Sequence, residues 1–244
     1  MARRKIEIRV GTSGWHYWHW AGLFYPEDLP KFDWLKFYAK SFDTVELNNT
    51  FYHLPKPSSV KTWYKQTPKN FLYAVKASRY ITHIKKLKDI SEELALFYEA
   101  IAPLKTKLGP VLFQLPPSFK KNLKRLESFL KNLPKRKLAA IEFRNDTWYA
   151  QDTYDLLNEY GVGFCTHDLP GLESPRVVTG KLIYLRLHGT ESRYAGNYSK
   201  SALQNYASWL KENSKVVKGI FVYFNNDYNA YAVKNARELC KMLV

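Results

Sequence analysis

The sequence predicts an α/β fold, a single (β/α)8 TIM barrel in which residues 1–244 form one domain. Eight short apolar runs bounded by turn residues predict strands, and helical patterns lie between most of them. Strands that alternate with helices form a parallel sheet, and eight such units fit a barrel of about 240 residues. The alternative is an open doubly wound sheet, which has fewer strands, and Gly11-Thr12-Ser13-Gly14 lacks the third glycine of a dinucleotide-binding loop.

The predicted strands cover residues 6–10, 44–48, 71–76, 111–115, 138–143, 162–166, 182–188 and 219–225. The clearest helix carries an apolar stripe through Leu94, Phe97 and Ile101, and Ser91 is its predicted N-cap. Further helices are expected over residues 33–41, 58–66, 123–133, 152–160, 199–210 and 230–243. One unit deviates, because residues 168–181 are rich in Pro and Gly and predict a loop in place of the helix between strands six and seven.

The chain carries 38 Lys and Arg residues against 22 Asp and Glu residues, a formal net charge of +16. This excess favours an anionic small molecule or a nucleic acid as partner, while a solvated Lys-rich surface explains it equally well. No apolar stretch reaches the roughly 18–20 residues of a membrane span, so no membrane partner is expected. The N-terminal segment is too polar for a signal-peptide core, and Cys165 and Cys240 lie in no metal-binding spacing. We therefore expect a cytoplasmic protein with reduced thiols.

Side chains alternate along each strand between the helices and the barrel axis. If the apolar residues face the helices, three strands direct polar pairs inward, namely Glu46 and Asn48, Glu142 and Arg144, and Arg186 and His188. The same alternation adds Arg9, Lys76, Gln114, Thr166, Asp168, Tyr223 and Asn225. Because catalytic groups of a barrel come from the C-terminal ends of its strands, these residues predict a site there.

Unpaired buried charge is costly, so the inward groups must pair with one another or bind a polar ligand. The cations of the set are Arg9, Lys76, Arg144 and Arg186, and its carboxylates are Glu46, Glu142 and Asp168. Four cations against three carboxylates predict a slightly cationic mouth that suits an anion. A structural ion-pair network is the alternative, and it accounts best for Arg9, which lies low in the first strand. The sequence requires no cofactor, since the cations among these carboxylates and His188 argue against a divalent metal site.

Aromatic residues crowd the loops that follow the strands. They include Trp15, Tyr52, Trp148, Tyr194 and Tyr198. Aromatic faces near cations bind bases and sugar rings, so these five are candidate substrate-binding residues. The alternative is that they cap the barrel as a small apolar lid.

Several motifs occur together along the chain. They are Gly11-Thr12-Ser13-Gly14-Trp15, Glu46-Leu47-Asn48-Asn49-Thr50-Phe51-Tyr52, Glu142-Phe143-Arg144 with Trp148, Arg186-Leu187-His188-Gly189 with Tyr194 and Tyr198, and Tyr223-Phe224-Asn225-Asn226. In this combination the chain resembles the YecE-like family (domain of unknown function 72) over nearly its whole length. The resemblance implies a TIM barrel, adds Asn226 to the candidate site and implies no particular reaction. Likeness of such barrels to phosphodiester-cleaving and sugar-isomerising barrels suggests nucleic-acid and sugar-phosphate substrates by analogy alone.

Three functions fit these residues. The first is an enzyme, a hydrolase or lyase, that acts on a phosphate-bearing sugar or a nucleic acid. Its catalytic candidates are Glu46, Glu142, His188 and Asp168, its phosphate-binding candidates are Lys76, Arg144 and Arg186, and Asn48, Gln114 and Asn225 would orient hydroxyls. The second is a non-enzymatic nucleic-acid-binding or accessory protein. The third is a glycoside hydrolase that uses Glu46 and Glu142, which is disfavoured because strands two and five lie far apart around a barrel.

Overall fold

The computed structural model describes residues 6–192 and 194–243; the remaining residues of the predicted domain, 1–5, 193 and 244, lie outside the described residues. The strands are β1 (Glu7–Thr12), β2 (Thr44–Leu47), β3 (Leu72–Lys76), β4 (Leu108–Gln114), β5 (Ala139–Glu142), β6 (Gly163–Leu169), β7 (Leu172–Glu173), β8 (Leu182–Leu187) and β9 (Gly219–Phe224). All eight predicted strands are present, and the short β7 is the addition.

Eight of these strands form a nearly closed parallel barrel in the order β1-β9-β8-β6-β5-β4-β3-β2. The two ends of this order, β1 and β2, meet through a single parallel bridge between Ser13 and Glu46. The predicted TIM-barrel architecture is therefore confirmed. The strand termini that bear the candidate site residues lie together at the carboxyl end of the barrel.

A hairpin replaces the helix between the sixth and seventh barrel strands, in the segment predicted as a loop. β7 pairs antiparallel with the end of β6, where Leu169 faces Leu172. Pro170 and Gly171 occupy the turn, and Gly171 has a φ of 81°. A proline followed by a glycine with positive φ is the combination that a type II turn requires, which explains why the chain reverses here.

The helices cover α1 (Trp34–Tyr38), α2 (Pro57–Gln66), α3 (Ser91–Ile101), α4 (Leu123–Asn132), α5 (Gln151–Glu159), α6 (Lys200–Asn213) and α7 (Tyr231–Leu243). Ser199 caps α6, since its side chain accepts a hydrogen bond from the backbone of Ala202 at 3.2 Å. The prediction for Ser91 is wrong by one position: Ser91 is the first residue of α3, and Ile90 precedes it without a side-chain cap. Within the described ranges, no helix combines the length and apolarity that crossing a membrane requires.

Two apolar layers position the polar end of the barrel. The larger layer packs the helices against the outside of the sheet. The smaller layer fills the barrel interior and consists of Ala74, Leu112, Ala140, Cys165, Leu182, Tyr184, Phe221 and Tyr223. The inward polar side chains, such as Glu142 and Arg186, follow these residues by two positions along the same strands. They therefore lie above this apolar layer, which forms the floor of the barrel mouth. Arg9 lies at the other end of the barrel, where it pairs with Glu7 and with Asp43 at 2.5 Å.

Candidate functional site

One buried arginine joins two buried glutamates above the barrel floor. Arg186, on β8, donates from Nη2 to the Glu46 carboxylate at 2.9 Å and from Nη1 to the Glu142 carboxylate at 2.8 Å. Its Nε also donates to Glu46, so all three nitrogens of the guanidinium are engaged. Ser13 and Tyr184 donate further hydrogen bonds to Glu46, the latter at 2.6 Å. Strands far apart in the barrel order are thus tied together by one cation.

Both carboxylates are held in the ionised form. Burial alone would raise the pKa of Glu46, but Arg186 and the hydroxyls of Ser13 and Tyr184 outweigh burial and lower it. Burial likewise opposes ionisation of Glu142, but Arg144 and Arg186 hold its pKa well below the usual range. Arg144 donates its Nε to the same carboxylate. Two ionised and fully paired carboxylates are poor general acids near neutral pH.

His188 is a buried, neutral member of the same cluster. Its Nε2 accepts from Arg144 at 2.9 Å and lies 3.3 Å from Nη1 of Arg186. Because a guanidinium only donates, Nε2 carries no proton, and the ring proton is on Nδ1, 3.6 Å from Asp168 Oδ1. Burial lowers the pKa of His188 to about 4. The histidine therefore serves as a hydrogen-bond acceptor for the arginines at neutral pH.

A small cavity of about 230 Å³ opens above this cluster. Its lining consists of Tyr17, Asn48, Phe51, Tyr52, Lys76, Gln114, Arg186, Tyr194, Asn225 and Asp227. A neighbouring cleft of about 420 Å³ shares Tyr17 and Asn48 and also contacts Trp15. Seven of the sequence-predicted binding residues therefore line one cavity, and an eighth, Trp15, lies in the adjoining cleft.

Lys76 differs from the other cations of the site because it has no ionic partner. Its ammonium lies 4.2 Å from the centre of the Phe51 ring. Among the described residues, no carboxylate lies within 4.0 Å of it and no side-chain hydrogen bond reaches it. Burial and the nearby Arg186 charge lower the pKa of Lys76 to about 8.

Amide side chains contribute polar groups that remain open toward the cavity. Asn48 Oδ1 is buried and has no hydrogen-bond partner. The side chains of Gln114 and Asn225 reach the same cavity without a protein partner among the described residues. Buried polar atoms are nearly always satisfied, so an unpaired amide oxygen beside a cavity indicates that a polar ligand or water bonds to it.

Two predicted site residues face the helix layer instead. The predicted inward orientation of Thr166 and Asp168 is wrong by one position, because Phe164 packs against Phe143 in the outer layer and Cys165 occupies the barrel interior. Residues 166 and 168 share the outward side with Phe164. Asp168 accepts hydrogen bonds from Tyr198 and, at 3.4 Å, from Tyr206 of α6. Its Oδ1 accepts a hydrogen bond from the backbone N–H of His188 at 2.6 Å, and Asp168 does not line the cavity.

Three further candidates are structural. Trp148 is fully buried, stacks on Phe143 with 4.7 Å between ring centres and donates from Nε1 to the backbone of Phe119. Tyr198 is buried and joins Asp168 to the backbone of Gly189. Asn226 donates to Gly196 and Asn235, which ties the loop after β9 to the loop before α6. None of these three residues lines the barrel-mouth cavity. Each bonds a loop to the body of the barrel.

The candidate metal ligands do not converge. Asp168 lies outside the barrel mouth, and Arg186 occupies the space between the two glutamates. In the described part of the chain, no group of three or more His, Cys, Asp or Glu residues has the spacing of a metal site. The cluster is therefore built as carboxylates around guanidinium groups.

Several site residues escaped the sequence reasoning. Ser13 and Tyr184 follow the strand alternation of the predicted residues, and extending that alternation by one step would have included them. On β6 the inward residue is His167, because it follows the interior residue Cys165 by two positions. Its ring centre is 6.0 Å from that of His188. Phe51 ends a three-residue 3-10 helix and Asp227 precedes another, and such short elements show no periodic pattern that indicates orientation.

The nearly closed parallel barrel, with an ion-paired polar cluster at the carboxyl ends of its strands, defines the class of this molecule as a TIM-barrel α/β protein. The family model described as "Protein of unknown function DUF72" matches residues 9–244. The chain therefore belongs to the DUF72 family, as its motifs implied.

Two curated relatives and two solved structures are similar to this chain. The chain is 27% identical over 275 aligned residues to the UPF0759 protein YunF of Bacillus subtilis (strain 168), covering 97% of this chain and 94% of YunF. It is 30% identical over 145 residues to the UPF0759 protein YecE of Escherichia coli (strain K12), covering 59% and 51%. A DUF72 family protein of Thermotoga maritima MSB8 has a TM-score of 0.88 at 34% identity, with 97% of this chain and 99% of that chain covered. A DUF72 family protein of Enterococcus faecalis V583 shares the fold at a TM-score of 0.79 and 23% identity, with 99% of both chains covered.

Proposed function

We propose that this protein is an enzyme that acts on a phosphate-bearing sugar held in the cavity at the barrel mouth. The observation that carries the proposal is the Lys76 ammonium, which projects into the cavity without a carboxylate partner. Glu46 and Glu142 are already paired with arginines, so they are not available to neutralise it. Among the described residues this half-buried cation has no ionic partner, so an anion would stabilise it, and a phosphate group offers several acceptor oxygens.

The charge balance around the cavity supports an anionic ligand. Asp227 also lines the cavity, but its carboxylate lies 3.4 Å from Nε2 of His19 rather than beside Lys76. Arg144 reinforces the positive potential: among the described residues its Nη1 nitrogen bonds to no protein group. Arg186 contributes charge but no free donor, and Arg144 is not among the residues that line the cavity, so the role of phosphate ligand falls to Lys76.

The neutral lining supports the sugar part of the ligand. Asn48, Gln114 and Asn225 present amide groups that match hydroxyls, and Tyr52 and Tyr194 present aromatic faces. Tyr52 is 71% exposed and Tyr194 is 46% exposed, so both rings are accessible. At about 230 Å³ the cavity lies below the range of about 300–1,000 Å³ for drug-sized ligands. This size favours a single sugar phosphate over a strand of nucleic acid.

The same geometry disfavours a glycoside hydrolase. That reaction needs one protonated carboxyl beside a second carboxylate, with the glycosidic bond between them. Here the Arg186 guanidinium lies between Glu46 and Glu142, and neither carboxyl keeps a proton near neutral pH.

Replacing Lys76 tests the proposal. We expect Lys76→Met to weaken the binding of glycerol 3-phosphate roughly 10- to 100-fold, because a charge-assisted hydrogen bond contributes about 1.5–3 kcal/mol. Lys76→Arg keeps the charge and should lose less affinity. Titration calorimetry measures both values, and the exposed Lys121→Met serves as control. Unchanged affinity in Lys76→Met would exclude Lys76 as the phosphate ligand.

A basic groove supports a second candidate, the binding of a nucleic acid. The groove has a volume of about 780 Å³, and its basic lining consists of Lys131, Lys135, Arg136, Lys137, Lys181 and Lys218. Several of these residues directly precede strands, so the groove lies at the end of the barrel opposite the cavity. A phosphate backbone bound there would use charge alone, independently of Lys76.

Salt dependence tests this candidate. If the groove binds nucleic acid, the affinity for a fluorescent oligonucleotide should fall steeply between about 50 and 200 mM salt. The triple variant Lys135→Met, Arg136→Met and Lys137→Met should flatten that dependence, while Lys76→Met should not. An equal salt response in the wild-type protein and the triple variant would rule out the groove.

A further inference from the structure

The Lys76 side chain is positioned to react with a ligand in the cavity as well as to attract its charge. Lys76 is the last residue of β3, and in parallel barrels reacting groups come from this end of the strands. Its nitrogen lies beside the Phe51 ring in the open cavity, within reach of a ligand bound there. Among the described residues, no acceptor holds the nitrogen in place, so its lone pair becomes free when it loses a proton.

The charges that face Lys76 favour the loss of that proton. Arg186 and Arg144 oppose a further positive charge, and burial acts in the same direction. Glu142 and Glu46 act against this effect, but each is already paired with an arginine. With the pKa of Lys76 lowered to about 8, its neutral fraction at pH 8 is roughly a hundredfold larger than that of an ordinary lysine.

We propose that the Lys76 nitrogen is a nucleophile that forms an imine with the carbonyl carbon of a phosphate-bearing aldose or ketose. This inference rests on the proposed function, because it assigns the chemistry of the same cavity. The substrate class narrows accordingly to sugar phosphates in their open-chain carbonyl form. The positive potential of Arg186 and Arg144 would retain the phosphate, and the cavity amides would hold the hydroxyls, while Lys76 reacts.

The step balances without a further reactant. The nitrogen lone pair attacks the carbonyl carbon, the carbon–oxygen π bond breaks, and the oxygen takes up a proton to give a carbinolamine. A carbon–nitrogen double bond then forms as the hydroxyl leaves. The two hydrogens of the neutral amine depart with that oxygen as one molecule of water, so the sum is amine plus carbonyl giving imine plus water.

Asp227 is the group placed to carry the proton that the leaving hydroxyl needs. It is the carboxyl that lines the cavity among the described residues, since Glu46 and Glu142 lie below it in the ion-paired cluster. Burial raises the pKa of Asp227, whereas the arginines hold those of the two glutamates down. An amine whose pKa is lowered and a carboxyl whose pKa is raised, both lining one cavity, can act as a base and an acid on the same ligand.

Lys107 provides an internal comparison. It is also buried, but its nitrogen donates to the backbone of Tyr64 at 2.6 Å and to the backbone of Thr67 at 2.7 Å. Its lone pair is therefore unavailable, and it lines none of the cavities described above. Burial alone does not make a lysine reactive, and the open cavity at Lys76 accounts for the expected difference.

Borohydride trapping tests the imine. The wild-type protein is treated at pH 8 with dihydroxyacetone phosphate and sodium cyanoborohydride, which reduces an imine to a stable secondary amine. We expect a mass increase equal to the probe less one oxygen atom, located on Lys76 by peptide mapping. Labelling of Lys76 should greatly exceed that of the exposed Lys61, which lines none of the cavities described above, and Lys107 should remain unlabelled.

Two comparisons separate this inference from the proposed function. Glycerol 3-phosphate lacks a carbonyl and should raise Tm without giving an adduct. Lys76→Arg should lose the adduct completely while losing less affinity for glycerol 3-phosphate than Lys76→Met. If glycerol 3-phosphate binds but Lys76 is labelled no more than Lys61, the imine is wrong and the phosphate site stands. If neither binding nor labelling occurs, both proposals fail.

Discussion

Replacing Arg186 by methionine is expected to lower the free energy of unfolding by about 3–5 kcal/mol, the range for breaking a buried ion pair. Arg186 is 2% exposed and is bonded to two carboxylates that are fully buried. Without it, Glu46 keeps only hydroxyl donors and Glu142 keeps only Arg144. Glu46 must then bury an uncompensated charge or take up a proton, and Glu142 loses one of its two cations. The large expected effect thus comes from the buried carboxylates that lose a cation, rather than from the lost packing of the arginine side chain.

Denaturant unfolding of Arg186→Met measures this loss. The control is Lys121→Met, which breaks an exposed pair with Asp152 and should cost about 1 kcal/mol or less. Adding Glu46→Gln to Arg186→Met removes the carboxylate that is left without a cation and should restore part of the stability. A cost for Arg186→Met no greater than that of Lys121→Met would contradict the ion-paired cluster.

The second large effect is a loss of stability on acidification that depends on His188. Burial lowers the pKa of this histidine from 6.5 to about 4, so between these values the unfolded chain binds a proton that the folded protein excludes. Stability is therefore fully present above about pH 6.5 and falls as the pH drops toward 4. At about 1.4 kcal/mol per pKa unit, His188 accounts for a loss of about 3 kcal/mol across this range.

Unfolding free energies at several pH values between 7 and 4 test this expectation. His188→Gln should reduce the slope, because its amide oxygen still accepts from Arg144 but takes up no proton in this range. The exposed His53→Gln should leave the slope as in the wild-type protein. A wild-type stability that stays constant from pH 7 to pH 4.5 would show that His188 is not buried in neutral form.

Strand alternation predicted the site well wherever the outward face was strongly apolar. On β2, β5 and β8, large aliphatic or aromatic residues fix one face toward the helices, and Glu46, Glu142 and Arg186 follow on the other. On β6 the rule failed because the inner layer at that level is small and apolar. Cys165 there resembles a helix-facing residue, so the assignment shifted by one position and selected Asp168 instead of His167.

The pairing of the charged side chains could not be predicted from the sequence. Alternation indicates that a charge points inward but not how far it reaches or which partner it meets. The contrast between Arg186, with every nitrogen bonded, and Lys76, with no ionic partner, depends on distances between strands that are remote in sequence. The aromatic loops were equally ambiguous, since Trp148 is fully buried and Tyr52 is mostly exposed although both follow strands closely.

A crystal structure of the protein with bound glycerol 3-phosphate tests the central claim most directly. We expect the phosphoryl group in the barrel-mouth cavity, within hydrogen-bond distance of Lys76 Nζ, with the glycerol hydroxyls on the amides of Asn48, Gln114 or Asn225. A phosphoryl group found only in the basic groove, with water alone beside Lys76, would contradict it.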